Sequence, residues 1–328
     1  MTRTLQARLP RRSAGRASAP SGTGRSPQPR RRNWSEIRAA YGFLSPWLIG
    51  FAVFTAAPML ISLYLSFTSY DEINSPRYVG GDNYRQLVQD PKVALALKNT
   101  LVYALMYVPA AMIVALALAM VLNRIGRAGG FFRTVFYLPV MTPTVAAAAL
   151  FLLLLNGQKG LVNRSLMLIG VHGPNWTTDS AWIKPGLALT MLWGLGGTVV
   201  IYLAALQQVP KDLYEAAQLD GAGSFARFRR ITVPMISGSL FFTMIVLTIH
   251  SLQMFDQAYT MFFGGQQNST YANDAALFYV IYLFQQAFGV LHMGYASALA
   301  WLLFGIILLI TAIQVRLSRR LVYYEGER

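Results

Sequence analysis

Six long apolar runs, at roughly 43–66, 98–122, 131–155, 185–207, 233–257 and 293–315, constrain this chain more than any other feature. A helix needs about 20 apolar residues to cross the ~30 Å hydrocarbon core of a bilayer, and each run is that long. Their only basic residues are Lys98 and Arg133, both at leading edges, and their only carboxylate is Asp256. The whole chain is 55% hydrophobic and 12% charged, about half the ~25% charged fraction of ordinary soluble domains. The expected fold is an all-α integral membrane protein of six transmembrane helices. Pro58, Pro109, Pro139 and Pro143 fall inside runs, where neighbouring helices can satisfy the carbonyls that a proline frees.

The net charge of +15 could mark a nucleic-acid binder, but the positions of the charges argue for membrane topology. Ten arginines lie in residues 1–40, and residues 1–33 have the Arg/Ser/Pro/Gly composition of a disordered tail that touches anionic lipid headgroups or stays solvated. The apolar stretch 41–67 is too long for the core of a signal peptide, so it reads as an uncleaved first span. With the N-terminus inside, 21 of the 28 Lys and Arg residues fall on inner segments and 7 on outer ones, so both termini are expected in the cytosol. The outer segments 68–96 and 156–184 are long, and 272–292 is aromatic (Phe278, Tyr279, Tyr282, Phe284, Phe288). The stretch 272–292 is expected either along the outer surface or as the outer approach to span six, and its aromatics, like Trp176 and Trp182, suit headgroup level. Cysteine is absent, and His172, His250 and His292 lack zinc-site spacing, so no metal is expected.

The loop 207–234 has structure of its own. Pro210 suits a first helical position, and Asp212 and Glu215 follow where the helix dipole favours carboxylates. Leu213, Ala216, Ala217 and Leu219 make a narrow apolar stripe, and Gly221 or Gly223 can end the helix left-handed. A second short helix carries Phe225, Phe228 and Ile231, and Pro234 opens the fifth span. Such an elbow either docks into a groove of a partner or lies on the membrane surface.

The order Glu215-Ala216-Ala217, three residues, Gly221, nine residues, Ile231, Thr232, Val233, Pro234 resembles the E-A-A-x3-G-x9-I-x-L-P signature of binding-protein-dependent ABC importer membrane subunits. Val233 in place of Leu is the one departure. The longer form, Tyr214-Glu-Ala-Ala-x-x-Asp220-Gly221-Ala222, is similar to the MalF/UgpA-type sugar permeases. Weaker similarities arrive in order: Arg133–Pro139, Gly160–Asn163, Phe255-Asp256 with Tyr259 and Gly264-Gly265, Tyr282 with Phe288, and Gly294–Ala298. Gln266 stands where the family often has Pro.

The resemblance implies a type I ABC importer (MetI-like) permease fold. It implies a coupling helix seated in a separate ABC ATPase subunit, with Tyr214, Glu215, Ala216, Ala217, Asp220, Gly221, Ala222, Ile231 and Pro234 in the coupling loop. It also implies a sister permease subunit, an extracytoplasmic solute-binding protein, and alternating access driven by ATP and Mg on the partner. This chain is expected to bind no cofactor of its own. None of its five lysines is followed by Ser or Thr, so no phosphate-binding loop can form. By the same resemblance, Leu247, His250 and Ser251 fall near the family's sugar site, with Gln253 and Asp256 as further polar groups on span five. Thr190, Gly194 and Gly197 fall comparably on span four, and Trp193 offers a stacking face. Interhelical packing is the competing role for all of these residues.

The implied division is a disordered basic tail (1–40), a first span with its outer loop (41–96), a transporter core (97–316) and a C-terminal cytosolic tail (317–328). An ion-coupled secondary transporter is the rival reading, but Asp256 is the only intramembrane carboxylate and no repeat is visible. A membrane enzyme would need paired carboxylates or a catalytic triad, and neither is present. A scaffold would keep the elbow without transport.

Overall fold

The computed structural model describes residues 34–125, 129–263 and 274–321. The expected tail 1–33 and the Gly264-Gly265 and Gln266 positions lie outside these. The chain falls into two compact units, Met1–Ala57 and Pro58–Arg328.

In the first unit, α1 (Trp34–Phe51) runs into a π-helical turn, Ala52–Ala56. Helix therefore begins six residues before the expected boundary at 40. Phe43 and Phe54 are more than 80% exposed. Large apolar side chains in that position suit lipid, since bare apolar helix is stable only where its surroundings are apolar.

The second unit contains α2 (Ala57–Leu65), a minimal antiparallel hairpin of β1 (Thr68–Ser69) and β2 (Arg77–Tyr78), and α3 (Asp82–Gln89). Then comes α4 (Pro91–Arg124), 34 residues and therefore about 50 Å long. Next are α5 (Gly129–Tyr137), α6 (Thr144–Leu154), α7 (Leu161–Leu168), α8 (Ile183–Trp193) and α9 (Gly196–Gln208). They are followed by α10 (Lys211–Leu219), α11 (Ser224–Arg227), α12 (Val233–Met235), α13 (Ser237–Leu252), α14 (Asp256–Phe262), α15 (Tyr279–Phe284) and α16 (Met293–Leu321). Among the described residues, four helices are long and apolar enough to cross a membrane, and two bent pairs raise the number to six. Those six coincide with the six apolar runs.

The prolines singled out from the sequence do not all act alike. Helix α4 runs straight through Pro109. Pro58 follows a π turn, and a second π turn (Phe228–Thr232) precedes Pro234 in the same way. A proline lacks the N–H that would close the preceding helical turn, so the extra residue of a π turn appears there. Pro139 and Pro143 do not sit within a continuous helix. Pro139 sits in a 3-10 turn (Leu138–Met141), Pro143 follows an extended Thr142, and the third span bends there by 97°. The residue before a proline is pushed out of the helical region, so the bend follows from Thr142-Pro143.

The core is organised on α4. Ala111, Ala115 and Ala119 are fully buried one turn apart and let α9 and α13 approach its backbone closely. Between α9 and α13, the Tyr202 and Thr243 hydroxyls lie 2.6 Å apart.

At the N-terminal end of α4, polar side chains are consumed within the chain. Asp90 caps α4, its Oδ1 accepting from the Lys92 N–H at 2.9 Å. Its Oδ2 accepts from the Tyr282 hydroxyl and, at 2.8 Å, from Tyr295. Burial pushes the Asp90 carboxyl up, but the two hydroxyls, the Lys92 N–H and the Lys92 charge together hold it below the usual 3.8. Burial and the adjacent Asp90 push the Tyr282 phenol up. Asn99 donates to the carbonyls of Asp274 (2.7 Å) and Leu277 (2.9 Å), and the Tyr279 N–H donates to Thr100 Oγ1 at 2.9 Å.

These bonds decide between the two expectations for 272–292. Phe278, Tyr279, Ile281 and Tyr282 are buried and α15 packs on α16, so α15 belongs to the packed approach to the sixth span and is not a strip along the membrane surface. Trp176 is likewise buried, donating from Nε1 to Asn163 Oδ1 at 2.8 Å, while the Asn163 amide holds the carbonyls of Gly157 and Pro174. The Gly160–Asn163 segment thus organises its own loop.

Candidate functional site

Three spans are interrupted at one level. The third breaks at Pro139–Pro143. The fourth bends by 57° where α8 ends at Trp193 and α9 starts at Gly196. The fifth is interrupted at Gln253–Phe255, between α13 and α14. The fourth-span bend needs glycine at 196, because a Cβ there would lie 2.2 Å from the Phe136 carbonyl oxygen.

A cavity of about 520 Å³ opens where the three breaks meet. Non-helical backbone at membrane depth is tolerated where it is buried or lines a wet cavity, and these breaks supply much of the wall. Of the residues expected from sequence, Thr190, Trp193, Gly194, Leu247, His250, Ser251, Gln253 and Asp256 line it. Gly197 does not, although its neighbour Thr198 does. The Thr190 hydroxyl is already committed to the Gly186 carbonyl at 3.2 Å, and Ser251 to Thr248 at 2.9 Å. His250, Gln253 and Asp256 are exposed and can meet a solute. Trp193 is tilted against Phe151, ring centres 5.7 Å apart, and remains 39% exposed.

Sequence reading missed the third span's share of the wall, Pro139, Thr142 and Thr144, together with Tyr107 from α4. The signal for it was two prolines four residues apart in an apolar run. The lining has no Lys or Arg and one carboxylate among the described residues. Among the described residues no His, Asp or Glu cluster could hold a metal ion.

The elbow occupies the other end of α4. Helix α10 starts at Lys211, so Pro210 is its cap residue and not its first helical position. It closes in a Schellman turn: the Ala222 N–H donates to the Ala217 carbonyl (2.9 Å) and the Gly221 N–H to Gln218 (3.1 Å), with Gly221 at φ +75°. Gly223 instead precedes α11 in an extended conformation. Pro234 sits in α12, and Ile236 separates that turn from α13, so the fifth membrane helix opens at Ser237.

The Tyr214 and Thr232 hydroxyls, 2.9 Å apart, tie the two limbs of the elbow. Tyr214 and Ile231 pack on the core, and Ala217 and Ala222 are half-buried. Glu215, Ala216, Asp220 and Gly221 are exposed. So are Leu213, Leu219 (90%) and Phe225 (74%). Leu213, Leu219 and Phe225 therefore find no cover among the described residues.

Comparison with known proteins agrees with this geometry. Residues 107–323 match the family described as "Binding-protein-dependent transport system inner membrane component". The chain is 37% identical to a probable ABC transporter permease protein, YesP, of Bacillus subtilis (strain 168), covering 88% of this chain and 93% of that one. It is 32% identical to the lactose transport system permease protein LacF of Rhizobium radiobacter, covering 84% and 93%. The crystal structure of a bacterial ABC transporter involved in import of the acidic polysaccharide alginate contains a chain that superposes with a TM-score of 0.75 at 26% identity, covering 88% of this chain and 99% of that one. A cavity at coincident helix breaks, an exposed E-A-A elbow and these matches lead to one conclusion: the chain belongs to the binding-protein-dependent transport system inner membrane component family and is a membrane-spanning permease subunit of an ATP-binding-cassette importer.

Proposed function

We propose that this subunit passes a sugar or a related neutral, hydroxyl-rich solute through the 520 Å³ cavity, by alternating access, from an extracytoplasmic binding protein to the cytosol. The observation that carries this reading is the cavity's wall: uncharged polar groups, one histidine, one carboxylate and an exposed tryptophan face, with no Lys or Arg. A sugar's hydroxyls suit such a wall, and its C–H faces suit Trp193. A phosphorylated solute would meet no cation.

In the same reading, both termini and the elbow face the cytosol, supported by the 21-to-7 distribution of basic residues. The exposed Leu213, Leu219 and Phe225 beside Glu215, Ala216 and Asp220 receive an ABC ATPase subunit, which holds the ATP and Mg. A sister permease completes the pathway.

The test is reconstitution of the chain with a sister permease, an ATPase and a binding protein in proteoliposomes. Uptake of a neutral oligosaccharide should require ATP hydrolysis. Uptake that runs on an ion gradient without the ATPase would instead establish a secondary transporter. The native chain has no cysteine, so a single Ser224→Cys variant reports sidedness: an impermeant maleimide should reach it only in inside-out vesicles.

A further inference from the structure

A second cavity, of about 260 Å³, lies where the C-terminal end of α4 meets the end of α9 and the root of the elbow. Its polar wall is Asn123, Arg124, Ser224, Arg227 and the Tyr214–Thr232 pair, and its apolar floor includes Leu206. No carboxylate among the described residues lines it. Among the described residues the one ion pair is Arg85–Asp82, so no described carboxylate neutralises Arg124 or Arg227. Arg229 and Arg230 stand exposed on the adjoining π turn and add to the positive field.

The position of this cavity selects its ligand. Arg124 ends a 34-residue apolar helix, where hydrocarbon gives way to headgroups and a long cationic side chain reaches for the interface. A guanidinium presents a planar fork of N–H donors that matches phosphate oxygens. The Asn123 amide adds donors beside it. The Ser224 hydroxyl meets only a long 3.4 Å contact from Arg227 Nη2. The apolar floor suits the glycerol ester of a lipid better than a hydrated free ion.

We propose that this cavity binds the phosphate of an anionic glycerophospholipid, held between Arg124 and Arg227. The bound lipid also bears on coupling, because the Tyr214–Thr232 bond that joins the two limbs of the elbow forms part of the wall. A phosphate seated there steadies the elbow against α4. The exposed docking residues Leu213, Glu215, Ala216, Leu219 and Phe225 are absent from the lining, so lipid and ATPase occupy different faces. The inference shares the cytosolic placement of the elbow proposed above.

The experiment is native mass spectrometry of the full-length chain, purified in detergent and exchanged into phosphatidylglycerol or phosphatidylcholine. Detergent has no sides, so the readout stands even if the proposed topology or ATP coupling fails. Wild type should retain phosphatidylglycerol over phosphatidylcholine. Arg124→Gln/Arg227→Gln should lower that retention ~30-fold, and either single variant ~5-fold, while Arg229→Gln/Arg230→Gln leaves it nearly unchanged. The single variants cover the case in which the double variant does not fold. Equal losses in both double variants would mean diffuse charge attraction and would overturn the site. Displacement of the lipid by inorganic phosphate alone would reassign the cavity to a soluble anion. Unchanged lipid retention with loss of a co-purifying ATPase would give the arginines to the protein partner.

Discussion

The two ends of α4 are built on opposite principles. At its start, Asp90, Asn99 and Thr100 use their hydrogen-bonding capacity on Tyr282, Tyr295, the 274–277 backbone and Tyr279, and the aromatic side chains of α15 are buried against them. At its finish, one hydroxyl pair ties the elbow together, and Leu213, Leu219 and Phe225 remain uncovered. The first end is completed by this chain alone. The second is left with unspent apolar and cationic surface, as expected of a segment that works against partners. A rigid end and an open end on one helix suit a subunit whose movement is imposed from one side.

Substitutions can break this contrast, and Gly196→Ala should have the largest effect. Its Cβ would meet the Phe136 backbone oxygen at 2.2 Å, and backbone cannot rotate away. Overpacking of this kind costs about 3 kcal/mol, so folded yield by size-exclusion chromatography should collapse. Normal yield and thermal stability would show that the bend adapts.

Next is Asp90→Ala, at the closed end. It removes a helix cap and strands two tyrosine hydroxyls, a cost of about 2 kcal/mol, and should lower the melting temperature in detergent. Glu215→Ala at the open end should leave that temperature in place and lower ATP-driven uptake. If the two variants gave the same pair of readouts, the contrast would fall.

Gly221→Asp forces a side chain into the left-handed turn, at about 1 kcal/mol. Space is open around it, so insertion should persist while transport is uncoupled. Undiminished uptake would remove the turn from coupling. Tyr214→Phe should have the smallest thermodynamic effect, about 1 kcal/mol or less. Hydrogen exchange should quicken from Ser224 to Thr232 and stay unchanged at α15.

Acid sharpens the comparison without mutation. The folded Asp90 carboxyl is held below its ordinary 3.8, so it contributes stability above that value. The contribution is lost as pH falls through the depressed folded value. Below about pH 4, wild type should lose stability toward that of Asp90→Ala. A constant difference between the two across that range would separate the cap from its charge.

Much of this was legible in the residues. The six spans follow from apolar length alone, because the bilayer fixes how many residues must be apolar. The elbow's helix and its stop at Gly221 follow from local chemistry: a stripe at helical spacing, then a residue free to take positive φ. Eight of the nine expected pathway residues reached the cavity because they flank the breaks. The third span's contribution escaped, since a proline in an apolar run is compatible with an unbroken helix, a π turn or a full break. Pro109, Pro58 and Pro143 realise three different outcomes, and packing chose among them. The burial of Trp176 and α15 escaped for a similar reason, because aromatic residues suit both a headgroup belt and a core.

The sequence by itself determined that the chain crosses a membrane, how many times it can do so, and where an elbow interrupts it. These are consequences of solvent and of short-range backbone preference, which depend on neighbours along the chain. Only the tertiary structure decided which breaks converge into a cavity, which polar groups are spent on one another, and that Arg124 and Arg227, 103 residues apart in sequence, share a wall. Those outcomes depend on close packing between segments distant in sequence, and no local pattern encodes them.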